Sequence, residues 1–337
     1  MAEATIRDVA RRAQVSIASV SRALNGLDNV SDGTRSRVLA AAADLGYVPH
    51  AGARSLSLAR TNAIGVVLPD VHGEFFSEIV RGMDSAASKH GYLLLLSNMH
   101  GAGPQPETVL RAMRGRVDGM LVMAPHLDAE TLVRALPART PMVLINAPGE
   151  IGRHANLRLD NAAGVDAVVA HLISLGRRHI IHVGGPSDNL DARERAVAFR
   201  DAMERLAPGE DILILPGDFT EEAGKQTVDR LVAQGVSFDA VFAANDMMAI
   251  GALQALDGAG LRVPADVAVA GFDDVPLARH LGLTTVRARV AQLGARAVEC
   301  LVAMLADGST EPVQELHSTE LVVRRTTDLG ASQAGKP

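Results

Sequence analysis

From residue 63 onward, short apolar runs alternate with longer stretches whose apolar residues recur at helical spacing. Uninterrupted apolar runs of this length are typical of strands buried on both faces of a parallel sheet. Four runs come before the segment RLDN and four after it: AIGVVLP, YLLLLSN, GMLVMAP and MVLIN, then HIIHVGG, ILILPG, AVFAAND and VAVAGFDD. The pattern therefore predicts eight buried strands in two doubly wound α/β subdomains, with helices between the strands.

Polar residues follow several of these predicted strands. Ligands of parallel sheets bind beyond the carboxyl ends of the strands, and two such sheets side by side form a cleft there. Asp and Asn in these segments can also cap the next helix, a role that fits Asn161 and Asp246 best. The sequence thus predicts a polar pocket, and each of these polar residues could either line that pocket or cap a helix. They are Asp70, His72, Asn98, Asn146, Asp160, Asn161, Asp191, Asn245, Asp246, Asp273 and Asp274.

The first 24 residues contain two short amphipathic helical patterns separated by a break at 14–15. Thr5 can cap the first helix and Ser16 the second. In the second helix Val20 and Leu24 face inward, which leaves an outward set of Ile17, Ala18, Ser21 and Arg22. This arrangement fits a helix-turn-helix, a geometry that also occurs in many proteins without a nucleic-acid partner.

A third helix is predicted to begin at Ser31 and to stop at Gly46. Its expected buried face consists of Val38, Ala41, Ala42 and Leu45. The three helices would bury one small core, so the sequence predicts an all-α head at residues 1–48.

Charge is divided unevenly along the 337 residues. Residues 1–60 hold eight arginines, no lysine and five acidic residues, a formal charge of +3, whereas the whole chain carries −6. A basic head on an acidic body is expected when only the head approaches phosphate. Arginine also suits bidentate contacts to phosphate and guanine better than lysine does.

Other classes of protein find little support. No apolar run is long enough for a membrane span, and no secretory signal is recognisable at the start, so we expect an intracellular protein without a membrane partner. Because Cys300 is the single cysteine, an intrachain disulfide is excluded, and we expect its side chain to be buried as a small apolar group. The glycine pair in HVGGPSDN lacks the third glycine of a dinucleotide turn, and the 11 histidines show no metal-ligand spacing. No cofactor or catalytic set is predicted; a sugar-binding protein or an enzyme on the same α/β scaffold is the alternative.

Residues 1–330 resemble the LacI/GalR family of bacterial transcription regulators. The resemblance rests on five segments in the family's order: TIRDVARRAQVSIASVSRALNG, GYVPHAGARSL, TNAIGVVLPD, ANDMMAIGAL and VAGFDDVPLARHLGLTTV. It implies a helix-turn-helix head, a hinge helix, and a periplasmic-binding-protein-like core of two subdomains that holds a small-molecule effector. The implied function is that of a DNA-binding regulator, expected to act as a repressor.

In such proteins the second helix of the head enters the major groove. The resemblance implies that Ile17, Ala18 and Arg22 read base edges, whereas Thr5, Ser16, Ser19 and Ser21 hold phosphates. The segment HAGARSL resembles the hinge helix, with Ala53 and Leu56 against DNA and Leu56 wedged into the minor groove. Gly52 departs from the hinge pattern and is expected to weaken that helix in the absence of DNA.

The resemblance also places an effector between the two subdomains, matched here to Phe75, Phe76, Asn146, Asp191, Arg195, Phe219, Asn245 and Asp273. Aromatic rings, one cation and several hydroxyl partners imply a sugar, a glycoside or a nucleoside. Arg195 can instead pair permanently with Asp191 or Asp273. Ala198 stands where the family usually has glycine.

A homodimer on a pseudo-palindromic operator is expected, located in the cytoplasm and associated with the nucleoid. The tail LGASQAGKP carries no leucine heptads for a tetramerising coil. The expected divisions are a head at 1–48, a hinge and linker at 49–61, a first subdomain at 62–161 with 291–318, a second at 162–290 with 319–327, and a disordered tail at 328–337.

Overall fold

The structure is a computed structural model that describes residues 4–27, 29–48, 60–71, 73–99, 106–136, 140–149, 154–307 and 313–328. The chain forms two compact units. The first comprises Met1–Ala63 with Gly115–Asp118 and contains the helical head, and the second comprises Ile64–Arg114 with Gly119–Pro337 and contains two α/β sheets.

The head contains three helices, α1 (Ile6–Ala13), α2 (Ile17–Leu24) and α3 (Asp32–Asp44). At the start of α1, the Asp8 carboxylate accepts hydrogen bonds from the amide and hydroxyl of Thr5 at 3.1 and 2.6 Å. The turn after α1 is made by Gln14 in the left-handed region, with φ of 55°.

One small core holds these helices together. Its centre is formed by side chains with no exposed surface, Val9, Val20 and Val38. The prediction that Leu45 belongs to the buried face is wrong: Leu45 lies at the C-cap of α3 and is 37% exposed, because the helix ends one residue earlier. Gly46, the predicted stop of the helix, follows this cap and has a left-handed backbone, with φ of 62°.

The first sheet has six strands in the order β11, β5, β4, β3, β1, β2. The pairs from β11 through β1 are parallel. The strands are β1 (Ala63–Leu68), β2 (Leu93–Asn98), β3 (Gly119–Met123), β4 (Met142–Ile145), β5 (Ala155–Leu159) and β11 (Gln314–His317).

The second sheet has the corresponding order β12, β10, β9, β8, β6, β7, and its strands are parallel except for β12, which is antiparallel to β10. Its strands are β6 (Ile180–Val183), β7 (Leu213–Leu215), β8 (Ala240–Ala243), β9 (Ala268–Asp273), β10 (Thr284–Arg287) and β12 (Glu320–Val322). The chain passes between the sheets three times, after β5, after β10 and between β11 and β12.

Nine helices accompany these strands in the described part of the chain: α4 (Glu74–Lys89), α5 (Pro106–Met113), α6 (Ala129–Ala135), α7 (Asn161–Ser174), α8 (Leu190–Leu206), α9 (Glu221–Ala233), α10 (Asp246–Gly258), α11 (Pro276–Leu281) and α12 (Val290–Asp307). Several begin at a side-chain cap directly after a strand or loop. Asp160, Asn189, Thr220 and Asn245 each accept a hydrogen bond from a backbone amide in the first turn of the following helix. The predicted fold class, a helical head with two doubly wound subdomains, is confirmed.

All eight predicted apolar runs form strands, but the expectation that all of them are buried is wrong for two edge strands, β2 and β7, and β7 is half-buried along its length. β2 lies at the edge of the first sheet, and Leu93, Leu95 and Leu96 expose 74%, 39% and 50% of their surface. An edge strand has one uncovered side, so an apolar run does not require burial there. Cys300 is buried, as predicted. Among the described residues, no helix is long and apolar enough to cross a membrane.

Candidate functional site: the cleft and the second helix of the head

The second helix of the head presents an open face. Ser16 caps α2, because its hydroxyl accepts a hydrogen bond from the Ser19 amide at 3.1 Å, and the two serine hydroxyls lie 2.9 Å apart. Ile17, 46% exposed, and Ala18 project from the first turn, and Arg22 is exposed one turn further. Ser21 is half-buried and accepts a hydrogen bond from Asn25. Two apolar side chains and one guanidinium are thus available to a partner.

The other predicted DNA contacts have different positions. Thr5 is exposed at the N-cap of α1, where its hydroxyl already donates to Asp8. Ala53, Leu56 and the neighbouring Gly52 lie outside the described residues.

A cavity of about 520 Å³ opens between the two sheets, at the carboxyl ends of their strands. The first-sheet side contributes residues from 69–76 and 123–126. The second-sheet side contributes residues that follow β6, β7 and β8 and the end of β9. This volume lies within the range of small-molecule pockets. Seven of the eight predicted effector residues line it: Phe75, Phe76, Asp191, Arg195, Phe219, Asn245 and Asp273.

Aromatic side chains stand on both sides of this cavity. Phe75 and Phe76, in the first turn of α4, contact each other edge to face, with ring centroids 5.2 Å apart. Phe219 lies opposite, between β7 and α9, and its backbone is left-handed, with φ of 70°. Aromatic rings in such positions offer flat apolar surfaces to a ligand.

Backbone strain concentrates at this cleft. Asn146, Phe219 and Asp273 have φ values of 50°, 70° and 110°, in a region that residues with side chains rarely adopt. Each such residue costs about 1 to 3 kcal/mol and persists only where the surrounding structure holds it. Such strain is typical of ligand-binding sites, because it fixes the direction of a side chain.

Asn146 lies behind the cavity wall and orients Asp191. Its amide donates to one carboxylate oxygen of Asp191 at 3.1 Å, and its own oxygen accepts from the amide of Leu159. The second carboxylate oxygen of Asp191 accepts from Asn161 at 2.9 Å. Asp191 is thereby held by two neutral donors. Of the two pairings predicted as the alternative role of Arg195, the ion pair with Asp191 is not formed among the described residues, whereas the ion pair with Asp273 is formed at 3.6 Å.

Arg195 lies one turn after Asp191 on α8 and is 3% exposed. Its Nε donates to Asn161 at 2.9 Å, and one terminal nitrogen donates to the carbonyl of Ala244 at 2.5 Å. The guanidinium lies over the ring of Phe272, with its central carbon 3.7 Å from the ring centroid. These contacts fix the arginine at the base of the cavity.

Two consecutive carboxylates end β9 in contrasting environments. Asp274 accepts hydrogen bonds from Arg287 at 2.7 Å and Arg324 at 2.5 Å. Asp273 faces the cavity, is 6% exposed, and has Arg195 as its nearest cation at 3.6 Å. Its Oδ1 accepts no hydrogen bond from the described residues. Burial, offset in part by Arg195, raises the pKa of Asp273 to about 7.

This raised pKa predicts a pH dependence of stability. The unfolded chain releases the Asp273 proton near pH 4, whereas the folded chain keeps it to about pH 7. The stabilisation is complete below pH 4 and is lost as the pH rises to 7. Asp273→Asn removes this loss, so we expect the variant to gain up to about 4 kcal/mol relative to wild type between pH 4 and 8. Thermal unfolding midpoints across this range measure the difference, and a gap that does not change with pH would contradict the prediction.

Helix capping at the cleft differs from the prediction by one residue. Asn245, predicted to contact effector, caps α10: its oxygen accepts from the Met248 amide and its nitrogen donates to the carbonyl of Phe219. Asp246 is not the cap. It is completely buried, accepts from the Val275 amide and the Thr285 hydroxyl, and has a pKa raised well above its usual range by burial and by Asp273. Asn161 likewise leaves capping to Asp160.

Sequence reasoning missed several residues that line the cavity: Glu74, Pro125, His126, Pro186 and Met247. All of them lie in the loop or first helical turn that follows a strand. Selecting every residue of these segments, rather than only the Asp, Asn and aromatic ones, would have found them.

The comparisons with known proteins agree with this architecture. Residues 5–50 match the model of the bacterial regulatory proteins of the lacI family, and residues 169–327 match that of the periplasmic binding protein-like domain. The transcriptional regulator GalR of Salmonella typhimurium is 34% identical over 340 residues, which cover 97% of this chain and 98% of GalR.

Two solved structures are also similar over most of the chain. The lac repressor dimer bound to operator and the anti-inducer ONPF has a TM-score of 0.87 at 28% identity, covering 97% of this chain and 99% of its own. A complex of the transcriptional regulator CelR with cellobiose has a TM-score of 0.70 at 32% identity, and the match covers 96% of this chain and 99% of the CelR chain. These relatives are regulators of transcription and not enzymes. With a helix-turn-helix head and two α/β subdomains around a cleft, the chain is a DNA-binding transcriptional regulator that belongs to the lacI family of bacterial regulatory proteins.

Proposed function

We propose that this regulator is a repressor that binds a pseudo-palindromic operator as a homodimer and changes its affinity when a sugar-like effector occupies the cleft. The observation that carries the proposal is the cavity itself, which brings together seven of the eight side chains expected to contact effector. The similar CelR structure holds cellobiose, which supports a carbohydrate as the type of ligand.

On the DNA side, we assign base reading to Ile17, Ala18 and Arg22. Arg22 is exposed, and its guanidinium makes no hydrogen bond or ion pair with the described residues, so it is available for the O6 and N7 atoms of guanine. Ile17 and Ala18 offer only apolar contact, which suits a thymine methyl group. Thr5, Ser16, Ser19 and Ser21 are assigned to phosphates, and Ala53 and Leu56 to the minor groove.

Arg22→Ala is expected to weaken binding to the cognate operator by about 1 to 3 kcal/mol and to have a much smaller effect on random DNA. The reason is that a bidentate contact to guanine discriminates between bases, whereas phosphate contacts do not. Titration of both duplexes at one salt concentration measures the two losses. The matched control is Arg37→Ala, because Arg37 is exposed. Arg35 would not serve, because it donates to backbone carbonyls of the head. Equal losses on the two duplexes would refute base reading by Arg22.

On the effector side, polar contacts between the two subdomains supply a route for linkage. Asn146 of the first subdomain donates to Asp191 of the second, the amide of Leu190 donates to the carbonyl of Pro125 at 2.9 Å, and the amide of Leu277 donates to Glu74 at 3.0 Å. A ligand that favours one arrangement of the subdomains shifts the population of that arrangement. Effector and operator then change each other's affinity by the same factor.

The test is retardation of operator DNA with and without candidate sugars, glycosides and nucleosides. The proposal expects salt-dependent binding to a pseudo-palindromic duplex, with two heads per duplex, and a change in affinity for at least one ligand of the panel. Chemical turnover of a ligand, or operator binding that no ligand alters, would contradict it.

The remaining assignments belong to the same proposal. The proposed divisions are the head at 1–48, the hinge and linker at 49–61, the first subdomain at 62–161 with 291–318, the second subdomain at 162–290 with 319–327, and the tail at 328–337. The three passages of the chain between the sheets support the two divided subdomains. Binding to operator sites places the protein at the nucleoid.

A further inference from the structure

The lining of the cleft is acidic. Among the described residues that line it, seven carry carboxylates, whereas Arg195 is the one arginine or lysine and His126 the one histidine. The seven are Asp273 and a group of six: Asp70, Glu74, Asp191, Asp218, Glu221 and Glu222.

Most of this negative charge is not neutralised by ion pairs. Asp218 accepts hydrogen bonds from the amide and hydroxyl of Thr220, at 2.8 and 2.6 Å. Glu74 accepts from a backbone amide, and Asp191 accepts from two asparagines. Glu221 and Glu222 accept from side-chain amides of glutamine. Within the described part of the chain, no arginine or lysine nitrogen lies within 4 Å of these five carboxylates, so their charges act on the cavity.

Arg195 does not form a site for an anion. Two of its nitrogens donate to Asn161 and Ala244, and one face covers Phe272. Its charge is balanced by Asp273, at 3.6 Å. His126 is likewise directed to a carboxylate, that of Asp188 at 3.3 Å.

Asp273 supplies the complementary feature, an acceptor oxygen that lies at ion-pair distance from Arg195, 3.6 Å, but accepts no hydrogen bond from the described residues. Its Oδ1 is buried at the cavity wall without a hydrogen-bond partner among the described residues. A buried acceptor left without a partner is costly, so a ligand that donates a hydroxyl or ammonium proton there gains affinity. Phe75, Phe76 and Phe219 cover the rest of such a ligand with apolar surface.

We infer that the effector of the proposed function is an uncharged or positively charged polyhydroxylated compound with an apolar ring face, and that the cleft rejects its phosphorylated and carboxylated counterparts. This inference rests on the proposed function, because it concerns the same cleft. A cleft lined by charge of one sign concentrates its field in the cavity, and like charges placed together cost several kcal/mol. We expect an anionic counterpart to bind about 100-fold more weakly than the neutral form, and this ratio to shrink as salt is raised.

The test is calorimetric titration of the full chain with ligands that share a ring and differ in charge. Suitable series are glucose, glucosamine and glucose 6-phosphate; galactose, galactosamine and galactose 6-phosphate; cellobiose and cellobionate; and adenosine and adenosine monophosphate. Binding of a neutral or amino member, with its anionic counterpart about 100-fold weaker, supports the inference. An anionic member that binds as tightly as its neutral counterpart, or more tightly, overturns the inference and leaves an effector-controlled regulator intact. Absence of binding by every member would overturn the proposed function and the inference with it.

A charge variant provides a second measurement. Glu222→Gln removes one exposed carboxylate of the lining and keeps the side-chain length, so the discrimination against the anionic member is expected to fall several-fold. Glu204→Gln, an exposed change on α8 outside the cavity, is the matched control and should leave the ratio unchanged. Equal ratios for the wild type and both variants would contradict an electrostatic origin of the selectivity.

Discussion

Replacing Arg195 by alanine is expected to lower the free energy of unfolding by about 3 to 5 kcal/mol and to remove the response of operator binding to effector. The guanidinium is 3% exposed and contacts Asn161, Ala244, Phe272 and Asp273. Its removal leaves a buried amide oxygen, a backbone carbonyl and a carboxylate without their partner. The loss should increase with pH, because Arg195 helps to hold Asp273 ionised and the bare carboxylate retains its proton to a higher pH.

The matched control is Arg200→Ala, on the same helix. Arg200 is exposed and makes no ion pair with the described residues, so its loss should change stability by less than about 0.5 kcal/mol. Urea unfolding of both variants measures the difference, and operator retardation with effector measures the response. If Arg195→Ala unfolds at the same urea concentration as Arg200→Ala, the buried network around Asp191 and Asp273 does not depend on the arginine.

The strands that the sequence predicts are the ones with long apolar runs, and they include β2 and β7 at the sheet edges. β3, β4 and β8 are buried along their whole length and contain only apolar residues and glycine, so each run is visible in the sequence itself. The strands that escaped prediction are less apolar. β5 reads ANLRL and β10 reads TTVR inside the sheets, and β11 reads QELH and β12 reads ELV at sheet edges; polar residues interrupt the apolar run in each. Their place in a sheet follows from pairing with distant strands, which periodicity within one segment does not reveal.

The same distinction holds for the cleft. Its location follows from topology, because the carboxyl ends of parallel strands meet at one edge of the sheet. The role of each polar residue depends on one turn of backbone: Asn245 lies at the cap position of α10 and Asp246 inside the helix, so their side chains point to different neighbours. The acidic lining is hard to see in the sequence, because its carboxylates come from four separate segments, 70–74, 191, 218–222 and 273, of which only 218–222 is strongly acidic by itself.

The wall of the cleft on the second-sheet side depends on the close packing of α9 on α10. Gly251 and Gly224 allow this approach. A β-carbon at Gly251 would lie 1.9 Å from the carbonyl oxygen of Glu221, and one at Gly224 would lie 2.1 Å from that of Met248. The atoms in the way belong to the backbone, so they cannot move aside as the end of a flexible side chain can. Glu221 itself lines the cavity, which ties the spacing of the helices to the shape of the site.

Gly251→Ala is therefore expected to destabilise the chain by about 3 kcal/mol and to weaken effector binding, because the two helices must separate and carry Glu221 with them. Gly258→Ala, at the end of the same helix, is the matched control. Nothing lies within 4 Å of its added β-carbon and its backbone is helical, so alanine should stabilise the chain by about 0.5 kcal/mol through the lower entropy of the unfolded state. Urea unfolding and calorimetric titration with the effector measure both effects, and the opposite signs expected at two glycines of one helix separate packing from intrinsic helix preference. If both variants gain stability, α9 and α10 do not need the close approach, and the wall of the cleft is set by contacts other than the glycines.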